Sequence, residues 1–137
     1  MLNPLGLVAA ITTFLTVWFG HVAVRKIEFL SPTIWLPRLI FALLGIGLEL
    51  AALFTVNRPW SMVLGIAGMT LIFDAFEVGR QQRRVRRGHA PANPNNPRHA
   101  RILAEPGSQA TTIDLLKREP SGRAVNPGET TPLTEHH

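Results

Sequence analysis

The chain has 137 residues, 46% of them hydrophobic, with 14 Lys and Arg against 9 Asp and Glu, a formal charge of +5, and no cysteine. Without a thiol there is no disulfide, thiolate nucleophile, cysteine zinc site or iron–sulfur cluster. The averages conceal two unlike parts. Residues 1–78 are apolar and carry only Arg25, Lys26, Arg38 and Arg58 as strong bases, whereas the other ten basic residues and most prolines lie beyond.

The apolar part breaks into blocks of about 20 residues, the length needed to cross a hydrocarbon core of about 30 Å. Spans are predicted at 4–22, 34–56 and 60–78, all helical, because backbone groups in lipid must bond within their own segment. The fold class expected is an all-α membrane protein: a three-helix transmembrane domain over 1–79, a basic juxtamembrane segment over 80–101 and a mostly irregular, flexible tail over 102–137. The opening MLNPLGLVAAITTFLTVWFGHV has neither a basic start nor a small-residue cleavage site, and reads as a retained helix.

The first connection carries Arg25 and Lys26, and Arg38 opens the second span. Asn57-Arg58-Pro59 is a tight turn into the third span, proline being accepted in a helix's first turn. Basic residues gather after spans one and three, which predicts an outside N-terminus and a cytoplasmic tail in the cell's inner (plasma) membrane. Trp18 and Trp35 then lie toward the inner interface and Trp60 toward the outer one.

Glu49 stands out in the second span, about 10 Å in from its outer end at 1.5 Å per residue. Its helix face also carries Ala42, Gly45 and Ala52, and Ser61, Gly65 and Gly68 make a matching small-residue strip on the third span. A buried, neutral Glu49 donating to Thr12 or Thr13 at similar depth is one reading; a proton or cation site is another, and an intersubunit contact a third. At the inner end, His21, Lys26, Glu28, Arg38, Asp74 and Glu77 form an interfacial polar cluster, with an Arg38 salt bridge to Asp74 or Glu77 set against Arg38 snorkelling into headgroups. His21, Asp74 and Glu77 have no spacing diagnostic of a metal, and no metal or other cofactor is expected.

From Arg80 to Arg101 there are seven arginines and no acid. Arg80, Arg83, Arg84, Arg86 and Arg87 are expected to contact anionic lipid headgroups, or only to enforce topology. Nucleic acid is not an expected partner, since no aromatic is interleaved for base stacking. HAPANPNNP interrupts any helix, and only TTIDLLKR, 111–118, reads as a short helix in the tail.

GHVAVRKIEF, IWLP, FDAFEVGRQQRRVRRG and the following PANP resemble a family of small uncharacterised bacterial integral membrane proteins, over about residues 4–97. His21, Val24, Lys26, Glu28, Trp35, Pro37, Glu77, Arg84, Gly88, Asn93 and Pro94 carry the likeness, while Val22 stands where that family has proline and His89 near an aromatic. The resemblance implies three membrane helices and no catalysis, and moves attention from Glu49 to the inner face.

With no nucleophile-and-base constellation, no enzyme is expected. The function read from the residues is an accessory or scaffold membrane protein, with membrane lipid and either its own copies or a larger membrane complex as partners. The alternative is a small oligomeric transporter or channel using Glu49 as a proton or cation site.

Overall fold

The computed structural model describes residues 3–114 and is all-helical over them, without a strand. Helices α1 (Leu5–Leu30), α2 (Trp35–Phe54), α3 (Arg58–Arg86) and α4 (Pro97–Ala104) follow in order. The first three are long and apolar enough to cross a membrane, the mark of a small membrane protein. Helix α3 is central, packing against both α1 and α2.

Local chemistry sets the ends. Ser31-Pro32 stops α1, with the Ser31 N–H closing onto the Ile27 carbonyl at 2.7 Å. Asn57 caps α3, its side chain accepting from the Trp60 N–H at 3.2 Å, with Pro59 in the first turn. At the far end, Gly88 at φ 71° takes the left-handed conformation. There the His89 N–H bonds the Arg84 carbonyl and the Gly88 N–H bonds that of Val85, the two bonds of a Schellman cap.

Helices α1 and α3 have 26 and 29 residues, hence lengths of about 39 and 44 Å against a core of about 30 Å. Both therefore outrun the spans expected from apolarity, and both do so at the same end of the bundle. Arg25, Lys26 and Glu28 belong to α1 itself.

Burial is distributed accordingly. Along the spans, large apolar side chains such as Phe14, Leu43, Leu53 and Phe76 face outward, as suits helices whose solvent is lipid. Tight burial concentrates at the end where α1 and α3 project. There Val85, Ala90 and Ala92 form a small core with Leu103 against it, and Val24 and Ile102 are also buried. The chain after Gly88 folds back over these helix ends; the Ala92 N–H bonds the Thr111 carbonyl at 2.8 Å, binding 108–111 alongside 88–92. The sequence predicts a basic juxtamembrane segment over 80–101 and a flexible tail beyond it. Instead residues 88–111 form a cap, and α4 within it is an element that prediction lacks. Thr111 to Asp114 are not helical, and the rest of TTIDLLKR lies outside the described residues.

Candidate functional site

The cap closes on the last turn of α1. A helix ends with carbonyls that have no partner of their own, and the return segment supplies the donors. Asn93 Nδ2 donates to the Phe29 carbonyl at 3.2 Å, and Asn96 Nδ2 donates to those of Phe29 and Ser31 at 3.1 and 2.9 Å. Asn96 also caps α4, accepting from the Arg98 N–H at 3.0 Å. That placement aims the next two side chains at Glu28. Arg98 Nη1 donates to Glu28 Oε1 at 2.8 Å, and Arg98 Nη2 to the Glu28 carbonyl.

His99 completes the cluster. The Asn93 backbone N–H donates to His99 Nδ1 at 2.9 Å, so the ring proton sits on Nε2, which donates to Glu28 Oε1 at 2.9 Å. Glu28 and His99 are 1% and 0% exposed, which makes the charge balance decisive: one carboxylate, one guanidinium and one neutral imidazole share the buried volume. The guanidinium also lies at a helix C-terminus, where the α1 dipole favours positive charge.

Glu28 therefore leaves the interfacial cluster expected from the sequence and pairs with Arg98 and His99, neither of which that reading selected. The overlooked signal is Asn96-Pro97, a cap followed by a first-turn proline, as in Asn57-Arg58-Pro59. Other members of that cluster also find different partners. Arg38 makes no salt bridge with Asp74 or Glu77; its Nε donates to the Ala75 carbonyl at 3.1 Å, with the guanidinium lying over Gly79. Glu77 pairs with Arg80 at 3.5 Å, one turn along the same helix. His21 and Lys26 are exposed on α1, and Asp74 is buried against Gly20.

The basic run is sorted by helical period. Arg80, Arg83, Arg84 and Arg87 recur at three- and four-residue steps, so they share one face of α3 and its cap. With His89 they line a cup of about 400 Å³ that has no acidic residue in its wall. Arg86 faces elsewhere and pairs with Glu105 of the cap at 3.1 Å.

In the spans, α2 and α3 meet through their small residues. A Cβ added at Gly45 would lie 2.7 Å from the Gly68 carbonyl oxygen, and one added at Gly68 would lie 2.9 Å from that of Gly45. Ser61 reinforces the seam by donating to the Ala52 carbonyl at 2.9 Å. Glu49 lies in this seam, with Oε1 buried beside Gly68 and lacking a hydrogen-bond partner. The expected bond to Thr12 or Thr13 is not formed. Those residues offer their carbonyls to the Thr16 hydroxyl, which in turn meets the Thr70 hydroxyl at 3.3 Å across the α1–α3 contact.

A family model described as domain of unknown function DUF4491 matches residues 3–96. The chain belongs to that family. The match takes in Glu28, Asn93 and Asn96 and ends two residues short of Arg98. No curated protein and no solved structure matches the chain.

Proposed function

We propose that this DUF4491 protein is an accessory or scaffold component of a bacterial inner membrane, holding anionic lipid in the basic cup at the end of α3 and associating with partner membrane proteins through its spans. The observation that carries this reading is the cup itself: four arginines and a histidine, with no acid in the wall, begin where the apolar part of α3 stops. Phosphate-bearing headgroups lie at that level of a bilayer, and guanidinium groups bind phosphate through paired N–H donors. The positive-inside rule assigns this end to the cytoplasm, because Arg25, Lys26 and the α3 arginines all gather here and only Arg58 marks the other. The outward apolar surface of three thin helices and the small-residue strips suit association with other membrane helices or further copies.

Native mass spectrometry of the protein released from its own membranes in mild detergent tests both halves. A co-purifying membrane protein and retained anionic lipid are expected, and a lipid-free monomer would overturn the reading. Replacing Arg80, Arg83 and Arg87 together by glutamine removes about 1 kcal/mol per residue of surface attraction, so added phosphatidylglycerol should bind about a hundredfold more weakly. Equal retention by this variant would remove the cup from the account.

A transport role is the second reading, supported by the buried, unpartnered Glu49 Oε1 within a span. Under it, Glu49→Gln in proteoliposomes abolishes proton- or cation-coupled flux while the helices stay assembled. Flux that is absent from the native protein, or unchanged in the variant, disposes of it.

A further inference from the structure

Asp74 is 4% exposed and its Oδ2 has no hydrogen-bond partner, the second such buried oxygen among the described residues beside that of Glu49. No basic side chain of the described residues lies within ion-pair distance of its carboxyl group: the Arg38 guanidinium, the partner expected from the sequence, is engaged by the Ala75 carbonyl, and His21, like the acidic Glu77, acts on it only from a longer range. Asp74 is the acidic member of a cavity of about 330 Å³ between the three spans, otherwise walled by apolar side chains, Gly20 and the hydroxyls of Thr16 and Thr70. From Ala67 to Asp74 along α3 the cavity runs about 10 Å into the span. Phe19 and Phe41 are part of its wall.

An apolar groove in a membrane protein is satisfied by lipid chains, which select nothing. A buried carboxyl group at its end does select, because in a dry setting it needs either a proton or a positive partner. Aromatic residues in the wall, Phe19 and Phe41, suit a cation over a neutral group. The volume falls at the lower end of small-molecule sites, which hold a ligand by apolar contact and orient it through a few polar groups. We propose that this cavity is a binding site for a small amphiphilic organic cation, a protonated amine or quaternary ammonium bearing an apolar body, with Asp74 as counter-ion and the Phe19–Phe41 side as the apolar wall. Glycine at position 20 is part of the design: a Cβ there would overlap the Asp74 carboxyl group and push it from its place.

The site is distinct from the basic cup, which repels such a ligand, and stands or falls independently of it. The test uses the full chain in micelles of the uncharged detergent dodecylmaltoside, which carries no ammonium group, with phenyltrimethylammonium as probe and its neutral isostere tert-butylbenzene as control, read by saturation-transfer NMR and calorimetry. The native protein is expected to bind the cation more tightly than the isostere. Asp74→Asn, which keeps shape and burial, should weaken the cation about tenfold or more and leave the isostere unchanged. Ala67→Phe, which fills the cavity from the α3 side without touching the carboxyl group, should abolish binding of both. No saturable binding of the cation to the native protein, or equal cation affinity in native protein and Asp74→Asn, would overturn the proposal.

Discussion

Glu28→Ala is expected to free residues 92–104 from the end of α1. The substitution removes the acceptor shared by Arg98 and His99 and leaves a guanidinium in a space where its residue is 8% exposed. Breaking one side of a buried, hydrogen-bonded ion pair costs about 3–5 kcal/mol, much of it the penalty of the charge left behind. Since the apolar core of the cap consists of only a few small side chains, little else opposes that loss. Amide exchange measures it: protection should fall across the cap while the α2–α3 seam stays protected. Two companions define the cause. Glu28→Gln keeps an acceptor and loses the charge, so its effect should be smaller; Glu28→Ala with Arg98→Ala should recover part of the loss, because the stranded charge is gone. Unchanged exchange in Glu28→Ala would show that the asparagine bonds to the α1 carbonyls hold the cap without the ion pair.

The second large effect is expected at the seam of α2 and α3. In Gly68→Val the new Cβ would lie 2.9 Å from the Gly45 carbonyl oxygen and 3.0 Å from the Glu49 backbone nitrogen, and both of these are main-chain atoms that cannot rotate away. The helices must part. Overpacking of this kind costs about 1–3 kcal/mol and sometimes more, and here it also forfeits the close backbone approach on which helix association in lipid depends. Reversible unfolding in mixed detergent micelles should show that loss. Gly47→Ala, on the facing helix α2, is the control. Nothing lies within 4 Å of its added Cβ, so it should be neutral, or stabilising by about 0.5–1 kcal/mol through reduced backbone freedom in the unfolded chain. Similar destabilisation by both substitutions would mean that the glycines serve the conformation of their own helices and not the α2–α3 contact.

The three membrane helices were legible because their signal is local. An uninterrupted apolar run of the right length allows only a helix in lipid, whatever its neighbours. The grouping of Arg80, Arg83, Arg84 and Arg87 could also be read from spacing, since the period of α3 alone puts them on one face. Arg86 shows the limit of that reading: counted with the others in the sequence, it belongs to an ion pair with Glu105, nineteen positions away.

Asn96-Pro97 carried a readable helix start, obscured by the prolines and asparagines before it, so α4 was hidden by its context. Nothing local could have located Glu28. Its partners Arg98 and His99 lie 70 and 71 positions along the chain, and a carboxylate near the end of an apolar helix is as well suited to headgroups or to Lys26 as to either of them. Arg38 posed the same difficulty, because composition offers it two acids and the fold presents a backbone carbonyl.

Hydrophobic length, which each segment carries within itself, established the class of the protein and the number of its spans. Which charges meet depended on the overrun of α1 and α3 past the hydrocarbon at the same end, and on the turn at Gly88 that sends the chain back across both. A buried charge takes the partner that packing brings within about 3 Å and sealed from water, and no stretch of sequence shorter than the whole bundle contains that distance.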